Sequence, residues 1–128
     1  MDRKKRILLV DDEATITRTL KLYLEATGAY EVRAENQGAA AIQTARAFKP
    51  DLILLDVVMP DIDGADVAAQ LRSDETLKDT PIVFLTALVK KKEVVESGGT
   101  IGGYPFIAKP LEPEQVIAVI ESQTGASS

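Results

Sequence analysis

Two hydrophobic periods alternate along this chain. Residues 6–10, "RILLV", and 51–56, "DLILLD", are near-continuous apolar runs of strand length, the pattern of strands buried on both faces. Residues 30–34, "YEVRA", alternate and predict a more exposed strand. "PIVFLT" (81–86) predicts a fourth strand, its proline at the first position where a missing N–H is tolerated, and "YPFIA" (104–108) a weaker fifth. Between them the spacing turns helical. Ile16, Leu20, Tyr23 and Leu24 form one stripe, with Gly28 beyond it as a C-cap. Ala40 to Phe48 predicts a second helix, closed by Pro50. A third runs from Asp63-Gly64 to about Arg72 with Val67, Ala68 and Leu71 inward. A last one starts near Pro113 and turns Val116, Ile117 and Ile120 inward.

Strand and helix in strict alternation predict an α/β fold: a doubly wound parallel sheet, joined by right-handed crossovers, with helices on both faces. The chain has 128 residues, the size of one compact domain spanning 1–128, with a basic stub at 1–5 and a polar tail at 123–128. That tail suits the start of a linker as well as an end. One stretch departs from the pattern. In "SGGTIGGYPF", Gly98, Gly99, Gly102 and Gly103 fall where a helix should lie, each costing about 1 kcal/mol inside one. The helix before the fifth strand is therefore expected to end near Ser97, followed by a flexible glycine loop. An ordinary surface loop is a simpler reading of that segment than a partner-specific output face.

Composition narrows the chemistry. The net charge of −5 argues against a general nucleic-acid binder, and "RKKR" (3–6) and "KKK" (90–92) read as solvated segments. Cysteine and histidine are both absent. That excludes disulfides, thiol chemistry, Ser-His-Asp catalysis and the usual zinc sets, fits a cytosolic setting, and leaves only hard cations held by oxygens. No run approaches a membrane span, and Ile7 to Val10 is too short for a signal peptide.

In doubly wound sheets, ligands sit outside the carboxyl ends of the strands. There the first strand ends in Asp11-Asp12, the third in Asp56, the fourth in Thr86, and the fifth leads to Lys109-Pro110. Each has a plain reading alone: Asp12 as a helix cap, Thr86 as a strand residue, Lys109 as a surface charge. Their conjunction on one rim points to function. Clustered carboxylates repel unless a cation neutralises them, and magnesium takes one or two carboxylates with waters and a phosphate oxygen. Asp12 and Asp56 as direct ligands, Asp11 acting through water, and Lys109 beside Asp56 suit phosphoryl transfer.

"LLVDDE", "DLILLDVVMPDIDG", "PIVFLTA" and "AKPLEPEQ" together resemble the receiver domain of two-component response regulators, across nearly the whole chain. The resemblance implies a five-stranded, flavodoxin-like three-layer sheet of order 2-1-3-4-5. It makes Asp56 the phosphoacceptor, served by a histidine kinase or histidine phosphotransfer protein; a chain without histidine cannot be its own phosphohistidine donor. Asp11, Asp12, Asp56 and the backbone carbonyl of Val58 become Mg2+ ligands, with Mn2+ as a substitute. Thr86 becomes the switch hydroxyl and Lys109 the phosphoryl-contacting lysine, joined to Pro110 by a cis peptide. Phe106 falls at the switch aromatic position; its residue type alone suits a core aromatic equally well. Val58 and Leu88 occupy positions, often polar in the family, that tune phosphate lifetime. Both are apolar here, so slower loss of phosphate is expected. A downstream target protein would read the face made by the fourth helix, fifth strand and fifth helix. The resemblance implies a signalling switch in the cytoplasm rather than a turnover enzyme, with no direct nucleic-acid or membrane contact.

Three other readings compete. A haloacid-dehalogenase-type phosphatase wants a second acid where Val58 stands, and an electron carrier of flavodoxin type wants Ser, Thr and Gly where Asp11-Asp12 stand. A pseudo-receiver acting without phosphorylation is expected to have lost part of the Asp/Thr/Lys set, which this chain keeps. The chain also reads as either a stand-alone receiver or one cut from a larger regulator or hybrid kinase.

Overall fold

In the computed structural model, residues 3–87, 100–101 and 103–125 are described. The strands are β1 (Lys5–Val10), β2 (Tyr30–Glu35), β3 (Leu52–Asp56), β4 (Ile82–Thr86), β5 (Thr100–Ile101) and β6 (Tyr104–Ala108). The helices among these residues are α1 (Ala14–Ala26), α2 (Ala41–Phe48), α3 (Gly64–Arg72) and α4 (Pro113–Thr124), with a 3-10 turn at Gly38–Ala40 leading into α2. Five parallel strands run in the order β2-β1-β3-β4-β6, so the chain reverses direction across the sheet between β1 and β3. This is the order 2-1-3-4-5 of the flavodoxin-like fold, with β6 as its fifth strand.

The continuous apolar runs take the centre. Every residue of β3 and β4 is buried, as are Ile7 to Val10 of β1. Burial of each such aliphatic side chain stabilises by roughly 1.5–3 kcal/mol. Two apolar layers result. Leu8, Val10, Ile53 and Leu55 meet Ala41, Phe48, Val67 and Leu71 of α2 and α3, whereas Ile7, Leu9, Leu52 and Leu54 meet Leu20, Leu24, Val116 and Ile120 of α1 and α4. The alternating strand, β2, lies at the edge, with Tyr30 and Val32 inward and Glu31 and Arg33 exposed.

Several expectations shift. Tyr23 belongs to the expected stripe of α1 but is 41% exposed. Thr17, Leu20 and Leu24 form the buried line instead, because at 3.6 residues per turn Tyr23 falls on its flank. The basic stub is not merely solvated: Lys5 opens β1, and the Arg3 guanidinium makes a bidentate pair with Asp51 at 2.8 and 3.0 Å. Part of the expected glycine loop is paired strand. Thr100 and Ile101 lie antiparallel to Pro105 and Tyr104, with Gly103 at φ +89° in the turn. Gln123 and Thr124, assigned to the tail, complete α4 before Gly125 closes it in the left-handed region. The expected end of a helix near Ser97, the "KKK" run and Leu88 lie outside the described residues.

Candidate functional site

Three strand ends build the site. β1 runs out at Val10 and delivers Asp11, wholly buried, with Asp12 exposed beside it. The Asp11 backbone is held from both sides by the end of β2: its N–H donates to Glu35 O at 3.0 Å, and Asn36 Nδ2 donates to its carbonyl at 2.8 Å. Asn36 also donates to Thr17 Oγ1 at 3.0 Å, tying the loop to α1. β3 ends on Asp56, 5% exposed. The turn after it depends on Gly64: a Cβ there would lie 2.2 Å from Asp56 O, and the Gly64 N–H donates to Val57 O at 2.8 Å. β4 ends on the buried Thr86, whose carbonyl accepts from Lys109 N at 2.8 Å. That bond sets the lysine directly after β6, and the Lys109–Pro110 peptide is cis.

Carboxylate oxygens of Asp11, Asp12 and Asp56 lie within 4.8 Å of one another. Among the described residues, one ammonium faces the cluster. Lys109 Nζ is 2.8 Å from Asp11 Oδ2, 3.2 Å from Glu13 Oε1 and 3.6 Å from Asp56 Oδ2, with only 10% of its side chain exposed. Burial lowers the lysine pKa, but the bond and charge of Asp11, then Glu13 and Asp56, outweigh it, so the net shift is upward. The Asp56 carboxyl is pushed up to about 6, first by loss of water and then by the charge of Asp11. Lys109 pulls it back in part, Asp12 pushes it up again, and the Val58 N–H, at a long 3.4 Å, pulls it down. At neutral pH Asp56 is therefore mostly ionised, though strained by its neighbours.

The donor set fits a hard divalent cation. It is all oxygen, and its three carboxylates carry more negative charge than Lys109 offsets. An open cleft of about 270 Å³ leads to it, lined by Asp12, Glu13, Asp56, Val58, Thr86 and Lys109. The structure thus brings Asp11, Asp12, Asp56, Thr86 and Lys109 to one rim, while Val58 stands half exposed at its mouth. Phe106 lies apart from the cleft lining, half-buried against the α2/α3 layer and opposite Phe84. Sequence reasoning missed Glu13, Asn36 and Gly64. Glu13 adjoins the acidic doublet and Gly64 opens the third expected helix, so both carried a signal. Asn36 carried only its place at the end of β2.

The family model of the response regulator receiver domain matches residues 7–121. Among curated proteins, the chain is 38% identical over 118 residues to the alkaline phosphatase synthesis transcriptional regulatory protein PhoP of Bacillus subtilis, covering 92% of this chain and 48% of PhoP. It is 39% identical over 119 residues to the phosphate regulon transcriptional regulatory protein PhoB of Pseudomonas aeruginosa, covering 92% and 51%. The chain thus spans about half the length of the curated relatives it matches. Among solved structures it resembles chemotaxis protein CheY4 of Vibrio cholerae, with a TM-score of 0.81 and 27% identity over 94% of this chain and 99% of that one. It also resembles the receiver domain of a signal transduction histidine kinase from Syntrophus aciditrophicus, with a TM-score of 0.78 and 30% identity over 97% and 92%. Phosphorylation and Mg2+ binding are general properties of this family, and its members work with histidine kinases and downstream effectors. The chain belongs to the response regulator receiver domains, homologous to the phosphoacceptor domains of two-component regulators.

Proposed function

We propose that Asp56 is the phosphoacceptor of this receiver and that a phosphohistidine on a partner histidine kinase or phosphotransfer protein supplies the group. The observation that carries this reading is the meeting of Asp11, Asp12 and Asp56 within 4.8 Å around one lysine. An Asp56 carboxylate oxygen attacks phosphorus, forming the O–P bond as the N–P bond of the donor breaks, and the imidazole leaves with the bonding pair. Asp12, Asp56 and the Val58 carbonyl would hold Mg2+, or Mn2+ in its place, with Asp11 acting through water, and the bound ion would supply charge neutralisation at the transferring phosphoryl oxygens. Lys109 turns from its carboxylate partners toward the new phosphoryl oxygens, and the Thr86 hydroxyl follows. Space vacated by Thr86 admits Phe106, which reshapes β6, α4 and the segment preceding β6, the surface a target protein reads. A shift of populations from about 1:99 to 99:1 needs roughly 5.5 kcal/mol, within reach of several charge-assisted bonds acting together.

The domain acts as a switch rather than a turnover enzyme, in the cytoplasm, and its net charge of −5 argues against direct nucleic-acid contact. No helix among the described residues is long and apolar enough to cross a membrane. The test is intact mass after incubation with acetyl phosphate and Mg2+. Wild type should gain one phosphoryl group and Asp56→Asn none. A modified Asp56→Asn would overturn the assignment. Heteronuclear NMR with an acyl-phosphate mimic should move the Thr86 and Phe106 resonances; unmoved signals would remove the switch while leaving phosphorylation standing.

A further inference from the structure

Both loops that carry the acidic cluster hang from one short segment. The connection from β2 to α2, residues 36–40, grips the β1–α1 loop through Asn36, whose Nδ2 donates to Asp11 O at 2.8 Å and Thr17 Oγ1 at 3.0 Å. Two residues later it grips the β3–α3 loop. The Ala39 N–H donates to Asp61 Oδ2 at 2.9 Å and the Gly38 N–H to Asp61 Oδ1 at 3.3 Å. The segment and the β3–α3 loop approach closely at this point: a Cβ on Gly38 would lie 2.5 Å from Ile62 Cγ2 and 2.9 Å from Met59 Cε. Asp61 is outside the acidic cluster and its carboxylate faces away to backbone donors, yet it sits three residues beyond Val58 in the loop that leaves Asp56.

We infer that Asp61 and Asn36 are positioning residues: with the 3-10 turn between them they form a strut that sets the separation of the Asp11-Asp12 loop from the Asp56-Val58 loop, and so the affinity of the site for Mg2+. The inference rests on the proposed function. Its physical basis is geometric. Magnesium demands near-ideal octahedral ligation at short distances, so ligands from two independent loops bind well only if something fixes the loops relative to each other. The chain between Asp12 and Asp56 is long, and the direct pairing of β1 with β3 ends at Val10 and Leu55. Beyond it, Lys109 spans Asp11 and Asp56 through its flexible side chain, and Asn36 and Asp61 add cross-links to the backbone of the segment between them.

The test is Mg2+ titration of the whole chain by amide NMR and calorimetry, for wild type, Asp61→Ala, Asp61→Asn and Asn36→Ala, with thermal unfolding in EDTA alongside. Asp61→Ala and Asn36→Ala should each weaken Mg2+ binding, on the order of tenfold. Phosphorylation by acetyl phosphate should recover at saturating Mg2+, because the variants lose loop placement and not the nucleophile. Asp61→Asn keeps an acceptor oxygen for the Ala39 N–H and should bind closer to wild type than Asp61→Ala does. An equal loss in Asp61→Asn and Asp61→Ala would mean that the carboxylate acts by its charge, and would overturn the positioning role. So would wild-type affinity in Asp61→Ala, or a loss that tracks the unfolding midpoint in EDTA. Should one variant fail to fold, Asn36→Ala and Asp61→Ala probe the strut from opposite ends. If wild type itself binds no Mg2+ and accepts no phosphoryl group, the proposed function fails; if wild type does both and the variants match it, only the strut fails.

Discussion

The two ends of the sheet carry similar side chains in opposite electrostatic states. At the end where the strands begin, every acid named below meets its own donors. Asp51 accepts from both Arg3 nitrogens and from the Arg6 N–H at 2.8 Å. Lys5 Nζ donates to Glu121 Oε1 at 3.1 Å and Thr124 Oγ1 at 2.8 Å, and the buried Tyr30 hydroxyl donates to Glu121 Oε2. Burial and that bond raise the Tyr30 pKa, while the tyrosine and then Lys5 lower that of Glu121. At the end where the strands finish, Asp11, Glu13 and Asp56 share the ammonium of Lys109. The starting rim holds the larger hollow, about 490 Å³, but the one acid lining it, Asp51, is already answered. Satisfied networks hold a fold together, whereas an unbalanced cluster is poised for a ligand. Size of the cavity is no guide here; uncompensated charge is.

Removing the one shared cation should have the largest effect. Lys109→Met leaves buried carboxylates facing each other and is expected to destabilise the metal-free protein by about 3 kcal/mol at pH 7. Mg2+ should restore more stability to this variant than it adds to wild type, as read by denaturant unfolding with and without the ion. Unchanged stability in EDTA would show the finishing rim to be as balanced as the other.

Asp56→Asn should work in the opposite direction. The folded carboxyl titrates at about 6, above its ordinary value of 3.8, so the native state binds the extra proton between those values. Wild-type stability from this group therefore falls as pH rises from about 4 to about 6, and levels off above. The neutral amide escapes that penalty and should be more stable by on the order of 2 kcal/mol at pH 7 without metal, and by much less at pH 4. Chemical denaturation at the two pH values checks both the sign and the window.

At the balanced rim, Asp51→Ala removes a bidentate pair and the acceptor for the Arg6 N–H. The expected loss is about 1 kcal/mol, the same with Mg2+ as without it. A response to Mg2+ would blur the contrast between the two ends. The smallest effect on stability belongs to Val58→Asn, within about 0.5 kcal/mol because the side chain is half exposed at the cleft mouth. Its phosphoryl half-life, followed by mass after donor removal, should shorten as the amide orients an attacking water. An unchanged half-life would mean that Val58 does not tune phosphate lifetime.

Much of this was legible in the order of residues. Continuous apolar runs at 7–10 and 52–55 dictated buried central strands, because side chains on both faces of such a strand must leave water. Strand-helix alternation then dictated parallel pairing, and a parallel sheet places the residues after each strand on one rim. Asp11, Asp12, Asp56, Thr86 and Lys109 could be picked out for that reason, and the absence of histidine and cysteine limited the cation they could hold. Other features had no local signature. Tyr23 belongs to the helical stripe by spacing, yet only the placement of α1 on the sheet decided which side of the stripe was covered. The hairpin between β5 and β6 depends on backbone pairing that apolar periodicity does not report.

Distances across loops were likewise the work of the tertiary structure. Nothing in the sequence says that Lys109, expected beside Asp56, reaches Asp11 and Glu13 as well, or that Asp61 closes on Gly38 and Ala39. Residues 11, 36, 61 and 109 are far apart along the chain, and their contacts are set by how strand ends and turns are held in three dimensions. Local order determined the elements and the chemical inventory, since burial and backbone geometry act over a few neighbouring residues. The fold alone determined which charges meet, because electrostatic balance depends on the separations that packing imposes.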